Sequence, residues 1–116
     1  MDVIGTRPDN GPYADAWHIF IDGSGVIGVY SNAFDVQTPA IIKTNQWTHF
    51  AAVRNKSNLT MYVNGVAAGI NTNYTKTPTR TSFGIGQFPS ANAEAFSGYL
   101  QDLRIYKGVE IGRAHV

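Results

Sequence analysis

Tyr13, Phe34, Tyr74 and Phe88 are aromatic side chains in stretches that read as loops, and the amides of Gln87 and Asn92 lie close to Phe88 in the chain. An exposed loop ring can lie against the apolar face of a sugar while neighbouring amides take its hydroxyls, which is the usual arrangement of a carbohydrate site. These residues are the candidate ligand contacts. Hydrolysis finds less support, because glycosidic cleavage takes two carboxylates about 5 to 9 Å apart across the bond. Glu94 and Glu110 are the glutamates, and Asp2, Asp9, Asp15, Asp22, Asp35 and Asp102 stand isolated, so no strand carries a carboxylate pair. His18 and His49 fall within strands and His115 near the end. A lone strand histidine is more often a packed or rim residue than a general base or zinc ligand. Ser24 and Ser97 sit beside glycines without the flanking pattern of a nucleophile elbow. The reading is a protein that binds and does not catalyse.

The elements that must position these residues are strands. Residues 47–54 place Trp47, His49, Ala51 and Val53 on one face and Thr48, Phe50, Ala52 and Arg54 on the other, the period of an extended chain. Residues 55–58 gather turn formers, and 59–63 resume alternation with Leu59, Met61 and Val63 on one side. Asn64-Gly65 is the pair that most readily takes both positive-φ positions of a type I′ turn, so residues 66–69 return as a third strand. Upstream, 3–6 reads as a short strand, 7–12 as a proline-interrupted loop, and 17–21 and 26–30 as a hairpin around Asp22-Gly23-Ser24-Gly25. Residues 31–39 read as a loop, 40–43 as a strand able to pair before Trp47, and 71–80 as a connection. No window shows the apolar spacing of a helix. Within strands, Trp17, Phe20, Trp47, Phe50, Tyr62, Phe83, Phe96 and Tyr99 are expected mostly to fill the space between two sheets. Asp102 and Arg104 stand two apart and share a face, as a structural pair or as surface charges.

Composition sets bounds on partners. The 116 residues allow one domain, with 43% hydrophobic and 12% aromatic side chains to build a core. Formal charge is +1 with scattered basic residues, so no electrostatic stripe is available for phosphates and nucleic acid is not an expected partner. No apolar run approaches the roughly 20 residues that cross a bilayer, and membrane insertion is not expected. The absence of cysteine excludes disulfides and thiolate metal sites.

The pattern Gln46-Trp47-x-His49-x-Ala51-x-x-Arg54, then a turn, then Leu59-x-x-Tyr62-x-Asn64-Gly65, resembles the centre of a laminin G-like domain of the concanavalin A-like lectin superfamily. Ser82-Phe83-Gly84-Ile85-Gly86 is similar to that family's short strand ending in Ile-Gly. Residues 96–109, with Phe96, Gly98, Leu100, Asp102, Leu103, Arg104, Ile105 and Tyr106, resemble its closing strand. The resemblance implies an all-β fold, an antiparallel β-sandwich of the concanavalin A-like jelly-roll kind over residues 1–110, with Trp47 as the core tryptophan. Relatives carry additional upstream strands, so the sandwich is expected to be incomplete, and exposed strand edges then favour a homo-oligomer. Residues 111–116 are similar to an adapter-encoded extension and read as a non-native tail.

For function, the resemblance implies a carbohydrate- or surface-recognition module of a larger phage structural or bacterial surface protein. Its place would be extracellular, on a virion or cell surface. The alternative is an architectural or oligomerisation sandwich without ligand. Relatives also bind calcium at a loop rim. Here Gln87, Asn92 and Glu94 could contribute oxygens, although Phe88 and Pro89 replace the acidic residues of pentraxin-like runs.

Overall fold

Alternating apolar residues and well-placed turns divide the chain into short strands. A computed structural model describes residues 1–6, 16–31, 33–78, 84–86 and 96–105. Among these, β1 (Asp2–Gly5), β2 (His18–Ile21), β3 (Ile27–Tyr30), β4 (Phe34–Gln37) and β8 (Gly84–Ile85) form a five-stranded sheet in the order β4-β3-β2-β1-β8. A three-stranded sheet holds β5 (Phe50–Asn55), β6 (Asn58–Val63) and β7 (Val66–Asn71) in sequence order. Every pairing is antiparallel and the described residues contain no helix. Among the described residues, therefore, no helix is long and apolar enough to cross a membrane.

The turns are chemical consequences of their residues. Asp22 Oδ1 accepts hydrogen bonds from the Ser24 amide at 2.9 Å, the Ser24 hydroxyl at 2.7 Å and the Val26 amide at 3.0 Å. One carboxylate oxygen thus closes the β2–β3 hairpin. Asn64 and Gly65 take φ values of 50° and 81°, as the type I′ reading predicts, and Val63 pairs with Val66 across them.

The sheets meet face to face over Val3, Ile4, Ile19, Ile27, Val29 and Val36 from the first, and Leu59, Met61 and Val63 from the second. Trp17, Ile21, Phe50 and Phe96 pack at the margins. A buried aliphatic side chain of this size contributes about 1.5–3 kcal/mol, so these nine residues are the main source of cohesion. At one side β4 lies against β6 and β7. The approach is closest at Gly69, where a Cβ would collide with the Gln37 carbonyl oxygen.

Several sequence expectations are corrected. The stretch 31–39 contains a strand, β4, whose alternation is hidden by a bulge between Val29 and Tyr30. Residues 40–43 form no strand; Ile41 and Ile42 instead donate their amides to the Gly25 carbonyl at 3.1 and 2.9 Å. Trp47 is 68% exposed and lies outside β5. The β5–β6 register pairs Phe50 with Val63 and Ala52 with Met61. Residues 50, 52 and 54 therefore face the core side, and the alternate set to which Trp47 belongs points away.

The predicted closing strand is absent over residues 96–105. Phe96 is tied to Gly86 by a 2.6 Å main-chain hydrogen bond, but beyond it Gly98 and Asp102 adopt φ of 151° and 56°, which breaks the extended alternation. Asp102 and Arg104 do pair, through Nε at 2.9 Å and a second guanidinium nitrogen at 3.1 Å.

Candidate functional site

The outer face of the five-stranded sheet carries a contiguous row of rings. Ile19 and Ile21 point inward from β2, so period two sends His18 and Phe20 outward. On β3, Ile27 and Val29 point inward and Tyr30 outward. Simple alternation from Val36 would turn Phe34 into the core. Instead the register pairs Val29 with Val36 and Tyr30 with Phe34, leaving Asp35 as an extra residue, and this bulge brings Phe34 to the outer face. Gly28 makes room for it, since a Cβ there would come within 2.9 Å of the Phe34 ring.

The rings interlock at their edges. Tyr30 and Phe34 have centroids 5.1 Å apart at 90°, Phe20 and Tyr30 5.3 Å apart, and Phe20 and Phe34 6.3 Å apart. All three are half-buried, so part of each remains open to solvent. Edge-to-face contacts of Phe34 with both neighbours, and a tilted contact between Phe20 and Tyr30, fix their orientation. At the end of the row His18 packs 5.2 Å from Tyr30, and its Nε2 lies 3.0 Å from Asp2 Oδ1. Both side chains of that pair are nearly fully buried, at 1% and 3% exposure, so the row ends in an enclosed polar pair.

Of the residues singled out from the sequence, Phe34 joins this row. Tyr74 does not. It is only 4% exposed, belongs to the core, and lies under the Arg54 guanidinium at 4.6 Å. Burial, and then the nearby Asp35 charge, push its hydroxyl pKa up, with Arg54 opposing. A ring so enclosed is not a stacking surface. Tyr13, Gln87, Phe88, Asn92 and Glu94 lie outside the described residues. Phe20 and Tyr30 escaped sequence reasoning, which sent Phe20 to the space between the sheets. The signal was present in their parity, opposite to Ile19 and Ile21 on one strand and to Ile27 and Val29 on the next.

The described carboxylates are each engaged structurally. Asp2 lies against His18, Asp22 closes a turn, Asp35 holds Lys76 and Ser31, and Asp102 holds Arg104. Among the described residues no three His, Cys, Asp or Glu side chains gather into a metal-binding group. A concavity runs between the sheets beside β5, lined by Ile42, Trp47, Phe50, Tyr99 and Leu103 among others. At about 2550 Å³ it is an open groove, well above the roughly 300–1,000 Å³ of small-molecule pockets.

A family model described as the concanavalin A-like lectin/glucanases superfamily, of the laminin G type, matches residues 3–110. The chain belongs to this family. No curated protein and no solved structure gives a significant match. Membership accounts for the two antiparallel sheets and makes this laminin G-like chain a β-sandwich module. The family spans both lectins and glucanases, so the chemistry must be argued from the chain's own surface.

Proposed function

We propose that this laminin G-like domain is a non-catalytic recognition module that takes the apolar face of a carbohydrate against Phe34, Tyr30 and Phe20. The observation that carries the proposal is the interlocked ring row on the outer sheet face, with Phe34 delivered to it by a bulge. Half-buried rings held rigid by one another offer contact area with little ordering cost on binding. A shallow face of this kind gives modest affinity per site. Strength would then come from multiple copies displayed by a larger phage structural or bacterial surface protein, outside the cell. Tyr13, Gln87, Phe88 and Asn92 enter the proposal as further contacts, and Gln87, Asn92 and Glu94 as oxygen donors to calcium. Calcium, where bound, would be held by the side-chain oxygens of these three residues and would supply a hard cation for oxygen ligands.

The test is an oligosaccharide array probed with the multivalently displayed domain at millimolar calcium and again with chelator. Signal above background that drops on Phe34→Ala supports recognition. Losing one well-packed ring should weaken binding by roughly tenfold, about 1.4 kcal/mol. Silence across the array at multivalent display supports the architectural reading instead. A signal indifferent to chelator removes calcium from the proposal.

A further inference from the structure

The bulge that turns Phe34 outward has to be held open. In an uninterrupted β3–β4 ladder Asp35 would stand opposite Tyr30 and Phe34 would point inward with Val36, because a one-residue slip carries side chains to the other face. The observed register leaves Asp35 as the extra residue. A bulged residue has main-chain groups outside the ladder, and buried ones need partners.

Those partners come from the second sheet and the connection after it. Asn71, the last residue of β7, donates its side-chain amide to the Asp35 carbonyl at 2.8 Å. Lys76 Nζ donates to Asp35 Oδ1 at 2.7 Å and to Ser31 Oγ at 2.5 Å, and the Ser31 hydroxyl donates to Asp35 Oδ2 at 3.0 Å. The Asp35 side chain is only 10% exposed, against 34% for Lys76. A carboxylate placed so far from water is costly without its cation, so Lys76 is what makes this bulge position tolerable for Asp35.

We propose that Asn71 and Lys76 are positioning residues for the recognition face. By fastening Asp35 in the bulge they set Phe34 beside Tyr30, and the second sheet thereby dictates the shape of a surface carried by the first. The role in binding rests on the carbohydrate reading above, but the placement of Phe34 is tested without any ligand.

In solution NMR, cross-relaxation between the Tyr30 and Phe34 rings reports their placement, and contacts of the Met61 methyl report the core. The Asn71→Ala/Lys76→Met double variant should lose most of the ring-to-ring signal while Met61 contacts persist, and Lys76→Arg should retain both. Wherever wild-type protein gives an array signal, that signal should fall in the double variant as well. A folded double variant with an undiminished ring-to-ring signal overturns the proposal. If the double variant does not fold, Lys76→Met alone is read by the same criterion. Loss of the ring contact together with a silent wild-type array overturns the carbohydrate reading and leaves the positioning role standing.

Discussion

Single side chains in this domain divide sharply by what surrounds them. Met61 is fully buried at the centre of the core, and Met61→Ala should cost about 2–5 kcal/mol in chemical denaturation. Trp47 is larger and more apolar in appearance, yet it is 68% exposed, and Trp47→Ala should change stability by no more than about 0.5 kcal/mol. Denaturation midpoints of the two variants decide between this packing and the one in which Trp47 fills the core.

Titration separates two further residues. The Ser24 hydroxyl, followed by the Val26 amide, holds the Asp22 carboxyl below its ordinary range. A depressed carboxylate stabilises the fold above its unfolded pKa of about 3.9, and that contribution fades as pH falls through the lower folded value. Wild-type protein should therefore lose stability on acidification below about pH 4 more than Asp22→Asn does. Tyr74 runs the other way. Its raised pKa favours the neutral ring, so its contribution is intact below about pH 10 and lost as pH climbs through the folded value. Phenolate absorbance of wild type against Tyr74→Phe should show one tyrosine ionising late, together with unfolding.

At the scale of elements, bulges and glycines do the aiming. Register shifts occur in the β1–β2, β3–β4 and β6–β7 ladders, and each changes which side chains share a face. The first accompanies the entry of both neighbours Val3 and Ile4 into the core. The second frees Phe34. Gly69 then allows β7 to approach β4, and Gly69→Ala would thrust a methyl group into the Gln37 carbonyl. That substitution should destabilise by about 1–3 kcal/mol and loosen the Asn71–Asp35 contact two residues further along β7. An alanine variant as stable as wild type would show that the sheets are not in such close contact.

The molecule as a whole is a sandwich packed tightly on one flank and open on the other. On the tight flank β4 lies against β6 and β7, and Lys76, Asp35, Asn71 and Ser31 bridge the sheets. On the open flank, among the described residues, β5 has β6 as its one partner strand in the sheet order, and Trp47, Tyr99, Leu103 and Ile105 expose apolar surface. The expectation of edge-to-edge association belongs to this flank, where the outer edge of β5 could pair with a second copy. Sedimentation velocity across a concentration series measures it directly, and a strictly monomeric chain throughout would count against self-pairing.

Much of this was readable from residues alone. Alternation in 59–63, the Asn64-Gly65 pair and the Asp22-Gly23-Ser24-Gly25 turn are local signals, each decided within a few residues, and they settle hairpins and an all-β class, while the family rests on the match over residues 3–110. What no local signal decides is which side of a strand looks inward. Tyr74 reads as a loop ring and is core; Trp47 reads as core and is exposed; Phe34 reads as loop and stands in a strand, turned outward by an extra residue. Facing depends on register against a partner strand distant in sequence, and a shift of one residue reverses it. Only the pairing of both sheets, and the contacts that Asn71 and Lys76 make across them, fixed which rings this chain presents.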